Sequence, residues 1–174
     1  IGEYTITFTT SPVGHLLMGS DQIIIKFPSG TEVPGVIDAA SVTVNTINPT
    51  SPPAVDPNKR EVTIITPVDI GDNSEVSVKF LPTAKIKNPT TTGSNYQVEV
   101  WTTNDPVKKL SAQYNITART GVMNGRVTLV PPRANSSSNI TISFKISNPL
   151  VKNAHTITLV FPSGFDIPPS IGAS

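Results

Sequence analysis

Apolar and polar residues alternate along most of this chain with a period of two, the pattern of strands that turn one face to a core. Tyr4, Ile6 and Phe8 share one face, and Thr5, Thr7 and Thr9 share the other. Ile23, Ile25 and Phe27 repeat the pattern, followed by Val42 and Val44, by Val62, Ile64 and Thr66, and by Val76, Val78 and Phe80. Tyr96, Val98 and Val100 define a sixth strand; Leu110, Ala112, Tyr114 and Ile116 define a seventh whose parity shifts near its end. Turn-forming clusters separate them: Ser11-Pro12-Val13-Gly14, Pro28-Ser29-Gly30, Gly71-Asp72-Asn73, Asn88-Pro89 and Asn104-Asp105-Pro106. The proline-rich stretch 46–59 reads as a long surface loop. No window carries a 3.6-residue apolar stripe of helical length; a single turn near Thr83 to Lys87 is the best helical candidate. Short strands punctuated by turns predict an all-β fold, an antiparallel sandwich of immunoglobulin type, without the Cys and Trp core of antibody domains.

The pattern also repeats over a longer distance. Tyr4-Thr5-Ile6-Thr7-Phe8 returns as Ile140-Thr141-Ile142-Ser143-Phe144. Ile25-Lys26-Phe27-Pro28-Ser29-Gly30 returns as Leu159-Val160-Phe161-Pro162-Ser163-Gly164, and the match runs on to Val33-Pro34 and Ile167-Pro168. Self-similarity at a fixed period marks an array of modules, and this period is the length of a domain. The expected organisation is one complete module over residues 1–121, a hinge and leading strand over 122–139, and the opening of a second copy over 140–174. The strand from Arg126 to Pro131 has no counterpart ahead of Ile1. A few strands alone are marginal in water. The partial copy is therefore expected to pack on the first module, to pair with a neighbouring chain, or to continue into a longer array. The inward residues expected to carry such contacts are Tyr4, Ile6, Phe8, Ile25 and Phe27 and, in the copy, Ile142, Phe144 and Phe161.

Charge and composition narrow the chemistry. Charged residues are 14% of the chain and the net charge is +1, so there is no electrostatic basis for binding nucleic acid or an anionic membrane. No apolar run approaches the roughly 20 residues that span a bilayer. There is no cysteine, which excludes disulfides, thiolate metal sites and cysteine nucleophiles. No nucleophile elbow is present, His15 and His155 have no partner at ligand spacing, and nothing nominates a catalytic carboxylate pair. The expectation is a non-enzyme.

A few residues are candidates for binding. Asp69, Asp72 and Glu75 lie on one short acidic loop and offer oxygen ligands to a hard cation such as Ca2+, although their spacing is not that of an EF-hand; a plain strand-connecting turn uses the same residues. Trp101, the single tryptophan, has outward parity and could stack on a sugar or anchor a module contact. Lys26 and Lys79 sit in mid-strand with outward parity, Lys79 as a residue that could discourage edge pairing. Asn115, Asn135 and Asn139 match the N-glycosylation acceptor pattern.

The Tyr4 to Ser11 strand, the Phe27-Pro28-Ser29-Gly30-Thr31-Glu32-Val33-Pro34 turn and Ile86-Lys87-Asn88-Pro89-Thr90-Thr91-Thr92-Gly93 together resemble the tandem immunoglobulin-like modules of large prokaryotic cell-surface proteins, S-layer-associated and adhesin-like chains among them. The resemblance implies an extracellular, non-catalytic module of a surface array or filament whose partners are further copies of itself. The alternative is a carbohydrate-binding or adhesion module recognising cell-wall or other glycans, attached or not to a secreted polysaccharide-active enzyme.

Overall fold

The computed structural model describes residues 2–118, 121–147 and 149–171. Strand accounts for 37% of the chain and helix for 4%, so the fold is all-β. Every strand pair is antiparallel.

Two sheets make the body. The smaller sheet has three strands, β1 (Tyr4–Thr9), β6 (Glu75–Phe80) and β3 (Val42–Val44), with β6 in the centre. The larger runs in the order β4 (Ala54–Asp56), β5 (Glu61–Ile65), β2 (Gln22–Lys26), β8 (Glu99–Thr102) and β9 (Lys109–Leu110). The period-two pattern delivers one face of each to a shared core: Ile6, Val42, Val44, Val76, Val78 and Phe80 from the smaller sheet, and Ile23, Ile25, Val62, Ile64 and Val100 from the larger. Phe27, just past β2, closes one end, with its ring edge-on to Tyr4 at 5.1 Å and to Phe80 at 5.6 Å. Thr66 keeps the inward parity read from the sequence and is buried. Its hydroxyl is satisfied by sharing its one proton between the carbonyls of Leu17 at 2.8 Å and Asp21 at 2.9 Å.

Several departures from the sequence pattern have clear causes. The stretch 46–59 is not wholly irregular, because Ala54–Asp56 adds to the exposed side of β5 as an edge strand. The sixth and seventh strands both divide: Tyr96 ends β7 (Gly93–Tyr96) whereas Val100 lies in β8, and Lys109–Leu110 pairs with β8 whereas β10 (Tyr114–Ile116) pairs with β7, leaving Leu110 exposed. Lys79 lies on the central strand of its sheet and so has no edge to guard; its ammonium meets Glu3 at 3.0 Å. The helical turn falls at Pro82–Ala84 and is a 3-10 turn.

The leading strand and the start of the second copy form a hairpin, β11 (Met123–Val130) with β12 (Asn139–Lys145). The strand begins at Met123, within the 122–139 stretch expected to hold a hinge and a leading strand, with a register irregularity between Met123 and Arg126. Residues 151–171 form no ladder. Leu159 to Phe161 copies β2, but β2 is held between β5 and β8, and neither has a counterpart among residues 121–171. The local fold of the copied turn survives. Gly30 and Gly164 both have positive φ, at 82° and 95°, and Thr31 and Phe165 both donate to the carbonyl of the proline three residues earlier. A left-handed glycine turn depends only on its own residues, and so it forms in both copies, whereas the strand needs partners.

Candidate functional site

The acidic loop is used by the backbone. Asp69 accepts the Met18 N–H at 2.7 Å and Asp72 the His15 N–H at 2.8 Å. Asp21 accepts the Leu17 N–H at 2.8 Å, and Thr103 and Asn104 donate to the same carboxylate. Asp105 accepts the Ser11 N–H at 2.9 Å. Four carboxylates thus hold the connection between β1 and β2, supplying acceptors to amides that no strand can reach. The backbone bond from Leu17 is the main reason that the Asp21 carboxyl titrates below its usual range. Glu75 stands apart, exposed at the start of β6. Among the described residues no three His, Asp or Glu side chains converge in a way that could hold a metal ion.

Trp101 has the outward parity read from the sequence, half-buried on the outer face of the five-stranded sheet opposite Ile24. The Lys108 ammonium lies over the ring, 4.3 Å from its centroid. Lys26 is paired with Glu99 at 3.4 Å. Asn115, Asn135 and Asn139 are all exposed.

A tyrosine cluster, missed in the sequence, closes the side of the core next to β1. Tyr4 and Tyr114 both pack against the core, Tyr96 lies 6.0 Å from Tyr114, and the Tyr4 hydroxyl donates to the Asn88 side chain. Burial, reinforced by neighbouring Tyr114, pushes the Tyr4 phenol far above its ordinary value, and burial also raises Tyr114. A raised phenol favours the neutral folded form. Its stabilisation is complete below the unfolded value of roughly 10 and is lost as pH climbs above it. Unfolding is therefore expected to steepen above about pH 10, and Tyr4→Phe is expected to flatten that slope, as followed by circular dichroism against pH.

The least ordinary surface belongs to the second copy. Val127 and Leu129 of β11, Ile140 and Ile142 of β12, and the rings of Phe161 and Phe165 line an open apolar cleft of about 330 Å³. Of the inward residues expected to mediate module contacts, Tyr4, Ile6, Phe8, Ile25 and Phe27 lie in or against the first module's own core. Ile142 and Phe161 line the cleft, and Phe144 is half-exposed on β12. No helix among the described residues is long and apolar enough to cross a membrane. The chain matches no protein-family model, and no curated protein or solved structure is detectably similar to it.

Proposed function

We propose that this chain is a non-catalytic structural module of an extracellular surface array or filament, an immunoglobulin-like unit in the broad sense of two packed antiparallel sheets, joined head-to-tail to copies of itself through shared strands. One observation carries this reading: several residues covered in the first copy have bare equivalents in the second. Ile25 is 0% exposed and its equivalent Leu159 is 50% exposed; Val33 is 5% and Ile167 is 45%; Ile37 is 1% and Ile171 is 77%. Burying one such side chain is worth about 1.5–3 kcal/mol. Leaving several in water therefore forgoes an amount on the order of a domain's whole stability of about 5–15 kcal/mol. Exposed apolar side chains on that scale favour an interface, and the repeat favours strands of the same module as what covers them.

Glycan binding through Trp101 is the weaker reading, because the Lys108 ammonium already stands over the indole ring. The test of the stronger one is Leu159→Asp together with Phe161→Asp. Both lie beyond the first module's core, so its fold should be unchanged. Self-association measured by light scattering should weaken at least about a hundredfold, since an unpaired carboxylate buried in an apolar contact costs several kcal/mol. Unaltered association of this variant would count against the proposal.

A further inference from the structure

We infer that the outer edge of β1 is a docking edge for a second copy of strand β11, in a defined register. The inference rests on the reading of the chain as a strand-sharing module, and it names the strand, the edge and the pairing.

The direction of the backbone groups defines the open edge. In an antiparallel ladder a residue turns its N–H and C=O to the same side, and successive residues turn them to opposite sides. The Thr10 N–H donates to the Ser74 carbonyl directly opposite it at 3.0 Å, one step beyond the β1–β6 register. Counting back in twos, Tyr4, Ile6 and Phe8 bond to β6. The other side of β6 agrees: Asn45 donates to Ser77 and Leu81 donates to Ser41, so the odd-numbered residues of β6 serve β3. Glu3, Thr5 and Thr7 consequently turn their backbone groups away from the sheet. β1 is a terminal strand of that sheet, the side chains of these three residues are exposed, and among the described residues no ladder or bridge forms on that side. Tyr114 packs against the core, but β10 pairs with β7.

In the second copy the same edge is filled. Asn139, Thr141 and Ser143 are the repeats of Glu3, Thr5 and Thr7, and they lie opposite Val130, Thr128 and Arg126 of β11. Pro131 has no N–H to donate. The last rung, Val130 with Asn139, is therefore one that exchanges both bonds, and so are the rungs two and four residues further in. β12 thus meets β11 with the edge that β1 leaves open. The side chains agree as well, for Val127 and Leu129 stand opposite Ile142 and Ile140 and line the cleft with them. Transferred to the first copy, Val127 falls opposite Ile6, Leu129 opposite Tyr4, Thr128 opposite Thr5 and Arg126 opposite Thr7. The three-stranded sheet gains a fourth strand, and two apolar side chains come to lie beside the partly exposed Tyr4.

The test is a variant in which a second copy of residues 121–136 is appended ahead of Ile1, which reproduces the spacing between β11 and β12. Hydrogen exchange at the Thr5 and Thr7 amides should slow by about a hundredfold or more relative to the parent chain, since the tether keeps the strand at high effective concentration. Thr7→Pro removes an outward donor at a sheet edge, where proline is tolerated; it should leave the parent chain folded and abolish the protection of Thr5 in the extended variant. Val127→Asp with Leu129→Asp in the appended copy should do the same. Unprotected Thr5 and Thr7 amides in a folded extended variant would overturn the inference. The measurement is made within one chain. Protected edge amides in a chain that never self-associates would uphold the docking edge and refute head-to-tail joining. Association with an open β1 edge would do the reverse.

Discussion

Phe27→Ala is expected to cost about 3–5 kcal/mol, and Phe161→Ala at the repeat-equivalent position less than about 1 kcal/mol in the monomeric chain. Phe27 is 1% exposed and closes the core between Tyr4 and Phe80, with ring planes at 77° and 69° to its own. Truncation leaves a hole that two aromatic neighbours on different strands cannot both collapse to fill. Phe161 sits beside Phe165 at 5.6 Å in an open cleft, where truncation leaves no sealed cavity. Urea denaturation of the two variants checks the pair. A large fall in the midpoint is expected for Phe27→Ala and almost none for Phe161→Ala at low protein concentration. Equal losses would mean that the second copy holds a packed core of its own.

The second large effect is expected from shortening the chain after residue 121. Every member of the buried core cluster lies between Ile6 and Val100, and β11 and β12 contribute none. The shortened chain should therefore keep the first module's stability and the amide pattern of β1 to β10. It should lose the exposed apolar cleft, and with it the tendency to associate. An unfolded short chain would show that the tail stabilises the first module through contacts along β1 or β10.

The alternation of Ile23 with Ile25, Val62 with Ile64, and Val76, Val78 and Phe80 announces strands that the structure buries as read. Periodicity reports which face a residue takes and is silent about the partner strand. For that reason Leu110 to Ile116 read as one strand although the chain leaves β8 after Leu110 and joins β7 at Tyr114. Edge strand β4 was hidden for a related reason: Ala54-Val55-Asp56 sits among prolines and is organised only by its pairing with β5. Leu159 to Phe161 carries the pattern of β2 and forms no ladder, because a strand is a property of a pair. The second copy was legible as a repeat, but the cleft that its apolar residues line with β11 was not. Nor was the role of Asp69 and Asp72, since a carboxylate suits a cation or a backbone amide equally well. In the fold His15 and Met18 lie across from the acidic loop and donate their amides to Asp72 and Asp69.

Sedimentation velocity of the intact chain beside the chain shortened after residue 121, over a range of concentrations, is the most direct measure of whether copies of this module cover one another. The intact chain should shift to faster species as concentration rises, and the short chain should sediment as a monomer throughout. Two monomers with the same concentration-independent behaviour would contradict head-to-tail joining.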